Sequence, residues 1–386
     1  MRPITNILFA CGASIAMSCC LACEPPQDNG IDPSSATPSS ATASSPLKTP
    51  GVRSVGTGGE GASFSLLSWN LEWFYDEHSG DNFSQLAKEK TTPTRFQWDW
   101  RRDQVAAALN QVRPSVIAFQ EIENKRVLWY LTRALARNHE LEYQELFVEG
   151  SDVFTEQDVG FLYRPRPETK KPGPPLISIQ PIWVGTFGRT AAMLKDESLA
   201  EVSKHLAVQY ELSLGEQTET VTVVTIHLRA KAEAIAIRTK QARTVHAWVA
   251  DKIRAGENVI VLGDFNTEES SLPAAAGTDM HAACGLDTND VADDLIDLHA
   301  HLPADQRQTH LLAGKSFDRI LVSQSLIEDH PDRIDLSLEQ IECLKSLSVR
   351  GNVDMPAMHW DKYWQIDETD RDLSDHWPVM ATFNFR

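Results

Sequence analysis

Short apolar runs alternate along most of the chain with stretches of helical periodicity. Strands are predicted at Phe64-Ser65-Leu66-Leu67-Ser68-Trp69, Val116-Ile117-Ala118-Phe119, Val159 to Tyr163, Ala207 to Leu214 and Thr220 to His227. Further strands are predicted at Asn258 to Leu262, Phe317 to Val322 and Val379 to Phe385. Helices are predicted at Trp100 to Val112, which stops ahead of Pro114, at Lys125 to Asn138, and at Ala232 to Ala255. Many strands with helices distributed among them predict an α/β sandwich, and the helices follow too few of the strands for a regular barrel. Four stretches read as irregular loops: Asp76 to Phe96, Arg164 to Pro181 with six prolines, Thr278 to Asp305, and Ile334 to Arg371.

The first 61 residues break this pattern. Arg2 precedes an uncharged, mostly apolar or small run from Ile4 to Ala22, as in an export signal. Leu21-Ala22-Cys23 resembles a bacterial lipobox, with Cys20 where such motifs usually carry Leu. The expectation is a signal peptide over residues 1–22, lipidation at Cys23 and an exported, membrane-tethered protein, with ordinary secretion as the alternative. Residues 23–61 are rich in Pro, Ser, Thr, Ala and Gly, so they bury too little surface to offset ordering and read as a flexible tether. The folded domain is expected over residues 62–386. Of six cysteines only Cys284 and Cys343 fall in it, and no Cys spacing suits a metal.

Charge narrows the function classes. With 54 acidic against 36 basic residues the formal net charge is −18. That field argues against a stable, sequence-specific DNA binder. It leaves room for a nuclease, because a local basic track or a bound metal can neutralise phosphate where it matters.

The candidate chemistry lies at strand ends. Asp264-Phe265-Asn266 follows the run Val259 to Gly263, and Asp375-His376 precedes the last strand. Asn70 ends the first strand, Gln120-Glu121 the second and His227 a later one, while Asp318 opens another. A carboxylate at the end of a buried strand is costly unless paired, hydrated or metal-bound, so its repetition suggests convergence on one pocket. Asp264 and Asn266 are two apart, which on an extended backbone directs both side chains into the same space.

In the order and content of these six segments the chain resembles the endonuclease/exonuclease/phosphatase superfamily, over roughly Ala62 to Arg386. The resemblance implies a four-layer α/β/β/α sandwich with two central, mostly antiparallel sheets. It implies that Glu121 ligates a catalytic divalent cation, Mg²⁺ or Mn²⁺, with Ca²⁺ as a structural ion, in keeping with a hard cation's preference for oxygen. Asp375 would be an additional or second-site metal ligand. Asp264 would orient the attacking water or help hold metal, Asn266 would bind a phosphate oxygen, and Asn70 would support metal ligand and phosphate. His376 would be the general base, with Asp318 orienting its imidazole.

His227 resembles the residue found in the deoxyribonuclease, sphingomyelinase and inositol phosphatase branches, where it would bond a phosphate oxygen or protonate the leaving group. Its acidic orienter is open between Glu156 and Asp158, because the deoxyribonuclease Glu falls by count on Gln157. The segment Phe161-Leu162-Tyr163-Arg164-Pro165 also resembles deoxyribonucleases. Arg164, Arg229, Lys231 and Arg319 are candidate phosphate contacts. Trp98, Trp100, Trp129 and Trp360 read as core or loop anchors rather than base-stacking platforms, and no aromatic hairpin stands out that would dip into lipid. The expected activity is metal-dependent phosphodiester hydrolysis, by a broad-specificity nuclease holding nucleic acid non-specifically and with no obligate protein partner. A sphingomyelinase-like phospholipase, an inositol-phosphate phosphatase and a non-catalytic binding protein are the alternatives.

Overall fold

A computed structural model describes residues 63–165, 177–188, 193, 195–328 and 335–385. The expected signal peptide, Cys23 and the tether lie outside the described residues. From the amino end come β1 (Ser63–Phe74), α1 (Gln85–Lys90), α2 (Arg95–Val112), β2 (Val116–Ile122), α3 (Lys125–His139), β3 (Gln144–Phe147) and β4 (Asp158–Tyr163). The middle of the chain supplies β5 (Ser178–Gly185), β6 (His205–Leu214), β7 (Gln217–His227), α4 (Ile235–Arg254) and β8 (Asn258–Asp264). The rest comprises α5 (Asp279–Ala283), β9 (Leu295–Asp297), β10 (Asp318–Ser323), β11 (Leu336–Cys343), α6 (Lys345–Ser348), α7 (Pro356–Lys362) and β12 (Val379–Phe385).

The strands form two six-stranded sheets, ordered β11-β12-β1-β2-β4-β3 and β5-β6-β7-β8-β10-β9. Each sheet has a single parallel pairing, β1 with β2 and β7 with β8, and the rest are antiparallel. A parallel pair needs a crossover, which α2 provides in the first sheet and α4 in the second. The expected sandwich is therefore present, with mixed sheets.

Strand alternation explains the layers. On β1, Leu66 faces the second sheet in a core shared with Val116, Phe161, Val208, Ile260 and Leu262. Its neighbour Leu67 faces outward, with Ile117 and Phe119, onto Val105 and Leu109 of α2 and Val127 and Leu131 of α3. On the far side Val224, Val259 and Val261 face Ala242, Val245 and Val249 of α4 and Met280 of α5. The second helix starts five residues earlier than its apolar pattern suggested, because Thr94 caps it by accepting from Gln97 N. It ends at Arg113, in the left-handed region just before Pro114.

Four strands fall where loops, or nothing, were expected, among them the three-residue β9 within the expected loop Thr278 to Asp305. The third strand is a four-residue edge. The fifth contains Pro181 at a register shift, which an edge strand tolerates because no partner needs that N–H. The eleventh, also an edge, mixes exposed polar with buried apolar residues. Cys284 and Cys343 are both free thiols.

Candidate active site

The two parallel pairs bring the strand-end residues together. Across the second sheet His227 lies opposite Asp264, and Asp264 opposite Asp318, so three of the expected residues stand in one row. Across the first sheet Asn70 lies opposite Gln120. The next residue, Glu121, departs from the regular strand at φ 58°, which turns its carboxylate towards the row.

Asn70 is fully buried. Its amide nitrogen donates to Glu121 Oε1 at 3.1 Å and to Asp264 Oδ2 at 3.0 Å, which engages both of its hydrogens. Asp264 Oδ1 accepts from Asn266 N at 2.7 Å, while the Asn266 amide donates to Leu228 O at 3.1 Å. His227 Nε2 lies 3.7 Å from Glu121 Oε1 and 3.6 Å from Asp264 Oδ2. His376 Nδ1 lies 2.8 Å from Asp318 Oδ2, and its Nε2 lies 3.7 Å from Asp264 Oδ2 and 3.8 Å from Asp375 Oδ1. The expected site residues thus meet in one cluster, buried except for the half-buried Glu121 and Asn266.

The two histidines are shifted in opposite directions. Burial pulls the His227 pKa well below its usual value, and the Lys204 and His376 charges push it the same way, so the ring is neutral. Burial also opposes a charge on His376, but Asp318, Asp264 and Asp375 outweigh it and raise its pKa well above the usual value. Burial carries Glu121 up to about 7 and Asp264 up to about 6. Asp375 goes the other way despite burial, held below the carboxylate range by His376 and His310.

Four features were not legible in sequence. None of Glu156, Gln157 and Asp158 orients His227. Glu156 accepts from Phe83 N and Ser84 N, Asp158 accepts from Gly150 N, and Gln157 bonds both Glu121 and Lys204. Lys204 reaches this side of the site through Gln157. Arg319 is buried and bonds Asp297 and the backbone of Ser316 and Glu269, so it is structural, whereas Arg229 and Lys231 are exposed.

His310 is the third feature. Its Nδ1 accepts from Leu312 N at 3.0 Å, which fixes the proton on Nε2, 3.5 Å from Asp375 Oδ2. The fourth is Glu72. It accepts from Asp375 N at 3.1 Å and pairs with His359 Nε2, whose Nδ1 bonds Asp354 Oδ2 at 2.8 Å.

Burial alone would lower the His359 pKa, yet Glu72 and Asp354 on its two nitrogens, with Asp375 beyond, carry it up to about 10. A folded pKa above the unfolded one stabilises fully below about 6.5 and ceases to do so as pH rises through 10. His359→Gln is therefore expected to lower the unfolding free energy by about 3 kcal/mol at pH 6. Urea titrations at pH 6, 8 and 10 should show that gap shrinking, and a gap independent of pH would contradict the pairing.

The donor set fits a divalent cation. Glu121, His227 and Asp264 offer atoms within 4.8 Å of one another, and so do His310, Asp375 and His376. Asp375 Oδ1 and Asp318 Oδ1 are buried carboxylate oxygens without a hydrogen-bond partner among the described residues, an arrangement that calls for a positive neighbour.

The model of the endonuclease/exonuclease/phosphatase family matches residues 67–376. The chain belongs to this family. Membership makes it a metal-dependent phosphoester hydrolase, in keeping with the acid- and histidine-lined cluster. Among solved structures it is similar to an endonuclease/exonuclease/phosphatase family protein from Bacteroides thetaiotaomicron, at 15% identity over 84% of this chain and 98% of that one, TM-score 0.49. A humanised D. rerio TDP2 matches at 14% identity over 83% and 99%, TM-score 0.48. The human Nocturnin catalytic domain matches at 13% over 84% and 94%, TM-score 0.48. No curated protein matches the chain.

Proposed function

We propose that the protein is an exported nuclease of broad specificity, with a signal peptide over 1–22, a tether over 23–61 lipidated at Cys23, and a catalytic domain over 62–386. The observation that carries the catalytic part is the buried Asp318–His376 pair facing Asp264, with a neutral His227 on the other side of the same carboxylate. Glu121 and Asp264 would hold the cation, Mg²⁺ or Mn²⁺, with Asp375 as an additional or second-site ligand. Bound there, it supplies Lewis-acid polarisation of the phosphoester and the counter-charge that these carboxylates otherwise draw from His376.

His376 Nε2 takes the proton of the attacking water, and Asp318 on Nδ1 fixes the tautomer and stabilises the imidazolium that forms. His227 donates to a non-bridging phosphate oxygen; its neutrality makes it a hydrogen-bond donor rather than a strong acid. Asn70, with both amide hydrogens engaged, positions Glu121 and Asp264. Asn266 keeps one N–H for phosphate.

The nucleic-acid reading is supported by His227, by Phe161-Leu162-Tyr163-Arg164-Pro165 and by the export signal. One observation favours a phospholipase instead. Phe83, Val153 and Phe154 are exposed on two loops that Glu156 ties together, an apolar tip that sequence did not reveal. The test is turnover of plasmid DNA, RNA, sphingomyelin vesicles and inositol phosphates with Mg²⁺, Mn²⁺ or EDTA. Metal-dependent cleavage of DNA or RNA is expected. Turnover of sphingomyelin alone would replace the nuclease by a phospholipase, and no turnover with any metal would leave a binding protein.

A further inference from the structure

A half-open cavity of about 290 Å³ lies beside the catalytic cluster, between the end of β1, the residues after α1, and α7. Its lining includes Trp73, Trp360, Tyr363 and Trp364, with Lys90 and Lys362 among the polar residues. Around this hollow Trp360 is exposed and Trp73, Tyr363 and Trp364 are half-buried, an aromatic surface of the kind that binds flat ligands.

Two of the rings, those of Trp360 and Trp73, belong to residues bonded to the active site itself. Trp360 is 43% exposed, yet its indole N–H donates to Asp375 Oδ2 at 2.9 Å, and its ring centroid is 6.4 Å from that of His310. Trp364 is braced by the Arg371 guanidinium at 5.0 Å and by Trp100 at 6.3 Å. Trp73 sits on a strained kink: it and Glu72 are consecutive non-glycine residues in the left-handed region, at φ 51° and 46°. Arg101 sustains the kink by donating to the carbonyls of Leu71, Glu72 and Trp73 at 2.6, 2.6 and 3.0 Å. The same kink directs Trp73 N to Glu121 Oε2 at 3.1 Å, so the cavity wall and a candidate metal ligand share one turn of backbone.

The chemistry selects the guest. Flat π surfaces with ammonium groups alongside suit a planar ring system attached to an anion. An acyl chain would want an apolar rim, whereas Glu89, Lys90, Asp361 and Lys362 line this one. An inositol polyphosphate would want clustered cations, and here two acids offset the two lysines. The volume lies at the small end of ligand pockets, enough for one ring system.

We propose that this cavity is a subsite for an unpaired nucleobase of the nucleotide next to the scissile phosphate, stacked against Trp73 and Trp360. This rests on the nuclease reading and sharpens it: a base stacked and paired in a duplex cannot enter, so single-stranded nucleic acid is the preferred substrate.

The test uses the full chain with Mg²⁺ on three substrates. They are a short single-stranded oligodeoxynucleotide, the same strand with abasic residues flanking the cut site, and its duplex. The base-bearing single strand is expected to exceed both others in kcat/KM by about tenfold or more, the worth of one base stack. Trp73→Ala should bring the ratio of base-bearing to abasic strand towards one, and Trp73→Phe should largely keep it. Equal cleavage of base-bearing and abasic strands by the unmodified protein, a comparison that needs no variant, would overturn the subsite and leave the nuclease reading standing. An unchanged ratio in Trp73→Ala would do the same. Turnover of a lipid or inositol phosphate with no strand cleaved would instead overturn the nuclease reading.

Discussion

His376→Ala is expected to lower kcat/KM for phosphodiester hydrolysis by about 10³-fold, the middle of the range for general acid–base catalysis. The ring is buried, is oriented by Asp318 at 2.8 Å, and presents Nε2 between Asp264 and Asp375. Its backbone is held separately, by Ser374 Oγ on the His376 N–H and by Trp69 Nε1 on its carbonyl, so truncating the side chain leaves the segment in place. Asp318→Asn should cost about 10²-fold by weakening the imidazolium's partner. The double variant should be no worse than His376→Ala, since residues acting as a unit are not additive. Rates on a fluorogenic oligonucleotide, with thermal unfolding as a check on the fold, decide this. A His376→Ala protein that folds and retains a tenth of the activity would remove the base from the mechanism.

Gly263→Ala is expected to destabilise the protein by at least about 3 kcal/mol, through strain at a special backbone position. Gly263 has φ 133°, and a Cβ there would lie 2.1 Å from Ile226 O and 3.0 Å from Ile226 N and C, all backbone. No side chain can move aside to relieve this. Ile226 and Gly263 are partners in the parallel pair of β7 and β8, one step before His227 and Asp264. The strands must part where the site is built, so surviving folded protein should also lose activity. Chemical denaturation of the variant measures the first effect and its residual rate the second. An alanine that leaves both unchanged would show that the close approach is not needed.

How much of this was legible depends on where each residue sits in its sheet. Central strands such as β2 and β8 are buried on both faces and read as unbroken apolar runs, so their ends, and with them Glu121 and Asp264, could be found. Edge strands carry no such run. Pro181 and the exposed Ile182, Trp183 and Val184 made β5 look like the end of a loop. The dyad of His376 and Asp318 was legible because both residues flank strands with strong patterns. His310 is a lone histidine in a loop without periodic context, and its bridge to His376 and its approach to Asp375 give it a place. At Glu72 the left-handed kink at 72–73 breaks the strand alternation, so the pattern along β1 does not place its side chain. The kink depends on Arg101, a residue on another element.

The position of β12 has a consequence for synthesis. The last strand of the chain inserts between β11 and the first strand, β1, and Asp375 and His376 lie immediately before it. A growing chain that has not yet released residue 385 lacks both an inner strand of one sheet and the histidine proposed as base. Long-range pairing of this kind also forms slowly, because the ends must find each other across the whole sequence. Assembly of this sheet and of the proposed catalytic dyad is therefore one event.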